Sequence, residues 1–370
     1  MRKKILQIHL WLGFLSGIVI VIMAVTGALY AFAEEIKTVG IEAVNPQGDI
    51  LYTPGQLKEI LVPELRKLEG GDVVAYGVTY QPAPKPSMLT YSSQNTSYGN
   101  VYINPYTAEI LGKPTGEDFF NWVMAGHRSL WLPPTIGRLI IGWSMVIFVI
   151  ELLTGLILWF PRRWNRKAIR QRLTVKTNGG RRRFFYDLHN SLGGLILLPI
   201  LAITFTGLTW SFPLLAKGYY TLLSSKTYHE WSMPVSNTTH VDTAKINDEA
   251  MWDKVLMRKP DMKTSSVRFD FPMGNTGVYT VVFNPKPGKN YSNDYHFYDR
   301  YSLRELAGGG VYGLSQSQVN RGDILFRMSY DIHSGAIAGI PGKLIAFLLS
   351  IIAVSLPITG CVIWLMKRKK

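Results

Sequence analysis

The chain has almost no cysteine: one residue, Cys361, among 370. That excludes intramolecular disulfides, a cysteine-ligated iron–sulfur cluster and covalent c-type haem attachment, which needs Cys-x-x-Cys-His. No glycine-rich loop follows a strand, so a flavin or nicotinamide site is not expected. Acidic residues are missing where basic ones cluster. Lysine and arginine crowd three segments: Arg2, Lys3 and Lys4; ten residues between Arg162 and Arg183; and the tail Lys367–Lys370. Together these hold seventeen positive charges and no carboxylate, against a chain total of +15, so the remainder is slightly acidic. Positive charge confined to short segments beside apolar ones is a topology signal. Nucleic acid is therefore rejected as a partner, and contact with anionic membrane lipids is the secondary reading.

What the chain has in excess is apolar sequence, 47% overall and unevenly spread. Four stretches, 5–32, 135–160, 188–215 and 339–366, are each long enough to span a bilayer, which takes about 20 apolar residues. The first is too long for a removed signal peptide and lacks a small-residue cleavage site, so it reads as a retained helix. The positive-inside rule puts both termini and the basic loop 161–186 in the cytoplasm. The segments 34–130 and 216–329 then lie outside.

The two halves of the chain repeat each other. IHLWLGFLSGIVIVIMAVTGALYAF matches LHNSLGGLILLPILAITFTGLTWSF, and GRLIIGWSMVIFVIELLTGLILWFPRR matches GKLIAFLLSIIAVSLPITGCVIWLMKR. The expected architecture is a membrane protein with an all-α four-helix transmembrane bundle built by internal duplication. Each outer segment reads as a small α+β module. In the first, a helix at Gln56–Leu68 precedes strands at Val73–Tyr80 and Ser87–Tyr91 and a strand–turn–strand from Asn100 to Leu111. In the second, a helix at Asn247–Met257 precedes strands at Ser265–Phe271, Val278–Asn284 and Asp294–Asp299. Gly308–Gly310 marks a flexible return to the last span.

Four histidines stand near span ends in matched positions. His9 precedes Gly27 of a Thr–Gly pair by 18 residues, and His189 precedes Gly207 by 18; His127 leads to Gly155 by 28 and His333 to Gly360 by 27. Topology sorts them into an inner pair, His9 with His189, and an outer pair, His127 with His333. An intramembrane imidazole is costly without a partner, and two imidazoles facing each other are the usual way to hold a haem iron. The plain alternative, interfacial hydrogen bonding, explains one such histidine more easily than four at paired positions. With no Cys-x-x-Cys-His, the cofactors would be two haem b, held non-covalently by bis-His ligation.

The resemblance that follows from these features is to the PepSY-associated transmembrane proteins, whose members include inner-membrane ferric-siderophore reductases. It is carried by the His-x-x-x-Gly…Thr–Gly pattern of the first and third spans, by the histidines before the second and fourth, and by NVYINPYTAEILG, which looks like the end of a PepSY domain. It covers essentially the whole chain, with the second outer module departing further from the pattern. It implies two PepSY-like periplasmic modules, a bacterial inner-membrane location and reduction of a periplasmic ferric siderophore, with electrons from an unidentified cytoplasmic reductase or quinol. A non-enzymatic PepSY-type binding or regulatory protein, and a haem or metal-chelate transporter, are the other classes.

Further residues are candidates beside the histidines. Gly13 and Gly193, each four positions after a histidine, would let a porphyrin lie close to the helix or simply allow helices to pack. Arg128, Arg138 and Lys343 on the outer side, and Arg181–Arg183 with Lys3–Lys4 inside, are available to haem propionates. Glu151, inside the second span, reads as a partner for Thr or Trp, a charge between the haems, a quinol contact, or a neutral packing carboxyl. Trp122, Trp131, Trp231 and the tyrosines 291, 295, 298 and 301 suggest an interfacial belt or a docking surface. His229, His240 and His296 have no metal-site spacing.

Overall fold

The computed structural model describes residues 1–46, 51–161, 165–238, 247–314 and 318–368. Arg162, Arg163, His240, Lys369 and Lys370 lie outside the described residues. The first part of the chain runs α1 (Arg2–Tyr30), α2 (Ala33–Lys37), α3 (Pro54–Glu69), β1 (Val73–Tyr80), β2 (Ser87–Ser93), β3 (Gly99–Asn104) and β4 (Glu109–Gly112). It continues with α4 (Glu117–Ser129), α5 (Pro134–Trp159), α6 (Arg166–Leu173), α7 (Gly180–Ser211), α8 (Pro213–Ser224) and α9 (Asp248–Met257). The last part holds β5 (Ser266–Asp270), β6 (Val278–Asn284), β7 (Asp294–Asp299), β8 (Glu305–Leu306), α10 (Arg321–Arg327), α11 (Ser329–His333) and α12 (Gly339–Arg368).

These elements form two compact units. One comprises Met1–Ala33, Glu117–Tyr219 and Met328–Lys370; the other comprises Glu34–Gly116 and Tyr220–Arg327. Residues 117–130, expected in the first outer module, belong to the helical unit instead. Their helix α4 packs on α1 and α5 through an amphipathic face that buries Phe120 and Val123.

The strand-bearing unit departs from the expectation of two separate modules. Its strands make one sheet of eight, in the order β4-β3-β2-β1-β5-β6-β7-β8. The seam is an antiparallel pairing of β1 with β5, Val78 opposite Phe269 and Thr79 opposite Arg268. Two four-stranded meanders alone would each leave an open edge, and pairing those edges satisfies both. At the seam Gly77 is needed, because a Cβ there would stand 2.6 Å from Asp270 Oδ1 and from the Phe269 carbonyl.

Helices α3 and α9 of this unit pack on the same sheet face. Leu57, Leu61 and Leu65 of α3, spaced four apart on one stripe, meet Met251, Trp252 and Val255 of α9 over Val78, Leu89, Val267 and Phe269. Each fully buried leucine contributes roughly 1.5–3 kcal/mol of burial free energy. Helix α3 starts at a reciprocal cap, with Thr53 and Gln56 bonding each other's backbone N–H, and stops at Gly70 in the left-handed region.

The end of α3 carries a buried acid. The Glu69 carboxylate accepts from Lys113 Nζ at 2.6 Å, Tyr91 OH at 2.6 Å and Ser93 Oγ at 3.1 Å. The Lys113 bond, then that of Tyr91, holds its pKa below the ordinary 4.5 against the opposing effect of burial. A lowered folded-state pKa contributes stability above pH 4.5, and that contribution is lost as pH falls through the lowered value. Glu69→Gln is thus expected to lower the melting temperature at pH 7 and to flatten its further fall below pH 4.5. Parallel acid-melting curves for the two proteins would overturn this.

The helical unit contains four helices long and apolar enough to cross a membrane: Arg2–Tyr30, Pro134–Trp159, Gly180–Ser211 and Ala336–Lys367. The third begins eight residues before the expected 188. Nothing between Gly180 and Asp187 breaks a helix, and the i,i+4 pair Arg183–Asp187 at 2.9 Å ties its first turns. His9 and His189 therefore sit about two turns inside their helices. His127 and His333 sit in the last turns of the short helices α4 and α11.

Candidate functional site

In the helical unit α1 packs against α5 and α12, and α7 packs against the same two helices. The ring order is α1, α5, α7, α12, with α1 and α7 on one diagonal. Ile20, Phe148, Leu152, Ile196, Ile200 and Ala353 fill the middle. The histidines lie toward the two ends of this core.

Each histidine reaches across to a neighbouring helix and finds the same receptor. His9 Nδ1 lies 3.1 Å from the Glu151 carbonyl and 3.0 Å from Thr154 Oγ1 on α5. His189 Nδ1 lies 3.1 Å from the Leu356 carbonyl and 2.9 Å from Thr359 Oγ1 on α12. His127 Nδ1 lies 3.1 Å from the Met23 carbonyl and 3.0 Å from Thr26 Oγ1 on α1. His333 Nδ1 lies 2.9 Å from the Ile203 carbonyl and 3.3 Å from Thr206 Oγ1 on α7.

These partners decide the tautomer. A backbone carbonyl can only accept, so Nδ1 must carry the proton in all four rings. The threonine hydroxyls donate to carbonyls of their own helices, Thr154 to Glu151 at 2.9 Å and Thr359 to Ser355 at 2.8 Å, so toward the imidazole they accept. Each Nε2 is left with its lone pair and with no hydrogen-bond partner among the described residues. A neutral ring with a committed Nδ1–H is the form in which histidine binds a metal through Nε2.

The rings then meet in pairs. His9 and His189 have centroids 6.2 Å apart with planes at 83°. His127 and His333 have centroids 6.2 Å apart with planes at 69°. Two imidazoles that shared one iron through Nε2, at about 2 Å per bond, would have centroids about 6.3 Å apart. Both pairs match that spacing. Edge-to-face packing of the rings also allows it. Since His127 docks at Thr26 while His9 lies seventeen residues earlier on the same helix, the two pairs are about 25 Å apart along α1.

The structure distributes the other candidates differently. At Gly13 the room a Cβ would take is held by Glu151, whose Oε1 stands 2.8 Å from that point, and Ser16 Oγ donates to Glu151 Oε2 at 3.3 Å. Gly193 faces Leu356 at 3.7 Å. The space expected for a porphyrin at these glycines is thus occupied by neighbouring side chains, because α1 meets α5 and α7 meets α12 there. Arg128 and Arg138 are exposed, and Lys343 is buried on α12. Near His189, Arg181 and Arg182 are exposed, Arg183 binds the buried Asp187, and Arg172 donates to Asn190 Oδ1 at 2.8 Å.

The outer aromatics mostly engage one another. Trp122 stacks on Trp131 at 4.7 Å in the helical unit, and in the other unit Trp231 meets Tyr295 edge-on at 4.7 Å. Tyr298 is core. His296 bonds Glu305 at 2.6 Å; burial works to lower its pKa, but Asp294 and Glu305 outweigh this and raise it. Among the described residues no group of three or more His, Cys, Asp or Glu is placed to hold a metal ion.

Thr26, Thr154, Thr206 and Thr359 stand in the sequence as spacing marks, and their role as acceptors emerges only from the packing. The signal was there, since each Thr–Gly pair lies on the helix that neighbours a histidine, not on the histidine's own. Four apolar helices enclosing these paired imidazoles define a multi-pass membrane protein. Residues 6–367 match the PepSY-associated TM region, and the chain belongs to that family. No curated protein shows significant similarity to it.

Proposed function

We propose that the protein is a di-haem b-type membrane oxidoreductase that carries electrons across a bacterial inner membrane to a periplasmic ferric siderophore. One observation supports this above the others: two imidazole pairs at one common separation, every Nδ1 committed and every Nε2 bare. His9 with His189, and His127 with His333, would hold the irons without covalent attachment. Haem bound at each pair supplies a one-electron Fe(III)/Fe(II) couple. Two imidazoles saturate an iron, which favours electron transfer over oxygen binding.

The matched helix pairs and mirrored meanders support an internal duplication. Charge placement supports cytoplasmic termini, with the strand-bearing unit outside. The chain has no nucleotide motif, so a separate reductase or a quinol supplies electrons near the inner pair. Exposed Arg128 and Arg138 are the outer cations available to propionates, with Lys343 buried on α12 as a further cation, and with Arg181, Arg182, Lys3 and Lys4 inside. Reduction of the substrate iron weakens hard-oxygen chelation, so no chelator bond needs breaking. A simple anchor for a binding module gives the four bare nitrogens no purpose. Transport by alternating access fits poorly with four unbroken helices.

The test uses full-length protein purified from haem-replete cells. It is expected to show a Soret band, sharp reduced α-bands and about two haems per chain. Adding ferrioxamine to the dithionite-reduced protein, after excess reductant is removed, is expected to bleach the α-bands and yield ferrous iron trapped by a chromogenic chelator. A colourless preparation, or reduced bands that ignore every ferric chelate offered, would sink the reading.

A further inference from the structure

We propose that the four Thr–Gly pairs, Thr26–Gly27, Thr154–Gly155, Thr206–Gly207 and Thr359–Gly360, are positioning residues that fix the rotation of each imidazole and so impose crossed ligand planes at both iron sites. The proposal rests on the haem reading above and goes beyond it, from which residues bind to how their rings are turned.

Three features carry it. The receptor is the same four times: a carbonyl three residues before the threonine and the threonine hydroxyl share one Nδ1–H. Two acceptors on one N–H hold a ring against rotation about its Cβ–Cγ bond more firmly than one does. The glycine is part of the receptor. A Cβ at Gly207 would stand 3.0 Å from His333 Cε1, at Gly27 3.3 Å from His127 Cε1, at Gly155 3.3 Å from His9 Cε1 and at Gly360 3.6 Å from His189 Cε1. Each ring edge therefore rests on bare backbone, and an added methyl at the three closest positions would push it away.

The third feature is direction. The receptors for His9 and His189 lie on α5 and α12, which are diagonal from each other, so the two rings are gripped from opposite sides of the bundle. The result is an angle of 83° at the inner pair and 69° at the outer. Ordinary helix packing would explain a threonine bonded to its own backbone, which all four are. It does not explain why a glycine follows every time and a histidine edge lies over each.

Ring angle has an electronic signature. Parallel imidazole planes split the two iron d orbitals that interact with ligand π electrons, giving a rhombic low-spin ferric EPR spectrum. Crossed planes leave those orbitals nearly equal, and the spectrum becomes strongly anisotropic with a dominant low-field feature. Second-shell partners of a ligating histidine fix its orientation in this way.

The experiment compares EPR and haem content of the oxidised full-length protein with Thr154→Val, Thr359→Val, Gly155→Ala and Thr154→Ser. The unmodified protein is expected to give the strongly anisotropic signal from both sites. Thr154→Val, Thr359→Val and Gly155→Ala are expected to move the inner-site low-field feature toward the rhombic type, with at least four-fifths of the haem retained. Thr154→Ser, which keeps the acceptor, is expected to leave it in place. A rhombic spectrum from the unmodified protein, or spectra indifferent to all of these substitutions at full haem content, would overturn the proposal while leaving the di-haem function standing. A colourless unmodified protein would overturn both.

Discussion

Replacing His9 and His189 together with alanine is expected to remove about half of the bound haem and to stop electron delivery from the inner face altogether. The His127–His333 pair uses other residues, with receptors at Thr26 and Thr206, so any haem it holds is expected to stay. Either single replacement is expected to match the double one closely, because a bis-imidazole site loses its geometry with one ligand and the two changes cannot add. The measurement pairs a haem-to-protein ratio with two reductants. A quinol analogue is expected to reduce the outer haem of the unmodified protein and to fail in the variant. Dithionite, which needs no route through the membrane, reduces the outer haem in both. A variant that still reduces a periplasmic-side chelate from a cytoplasmic donor at the unmodified rate would remove the inner site from the path.

The second large effect is on folding. Gly137→Ala and Gly342→Ala are each expected to reduce the yield of folded, membrane-inserted protein severely. A Cβ at Gly137 would lie 1.9 Å from the Ser129 carbonyl oxygen, and one at Gly342 would lie 2.1 Å from the Gly335 carbonyl oxygen. Both obstacles are backbone, so no side-chain rotation relieves them, and the cost should exceed the roughly 1–3 kcal/mol usual for an overpacked core. These glycines sit where α4 turns into α5 and where α11 turns into α12, the corners that fold His127 and His333 back over the bundle. Control substitutions at Gly218 and Gly274 distinguish crowding from loss of glycine as such. A Cβ meets nothing within 4 Å at either, and Gly274 has a left-handed φ of +60° while Gly218 does not. Gly218→Ala is expected to behave as the unmodified protein. If it fails as badly as Gly137→Ala, close packing is not the cause.

Much of this was visible in the sequence, and the parts that were not share a cause. The strand at Val73–Tyr80, the helix α3 and the apolar length of α1 and α12 are local patterns, and each lies within a few residues of its expected place. The histidine partners were legible as well, because the repeat and the clustered basic residues match one span end to another. What stayed hidden was adjacency between distant segments. Nothing near Gly77 announces that Asp270 will lie opposite it, so two modules were expected where one sheet exists. Nothing near Thr154 announces that α5 rather than another helix will lie beside His9. Gly13 looked like porphyrin space for the same reason, since only packing shows that Glu151 fills it.

The crossed docking of the histidines also sets an order of events during synthesis. His9 with Thr154 and His127 with Thr26 lie wholly within the first 160 residues, while His189 with Thr359 and His333 with Thr206 lie wholly within the rest. A ribosome that has completed α5 has therefore made two aimed imidazoles and no completed imidazole pair. Each imidazole pair closes only by joining one half to the other, and the receptor for His189 lies on α12, the last of the four long helices. A product truncated before α12 would hold the His127–His333 pair with both of its receptors, but would leave His189 without Thr359.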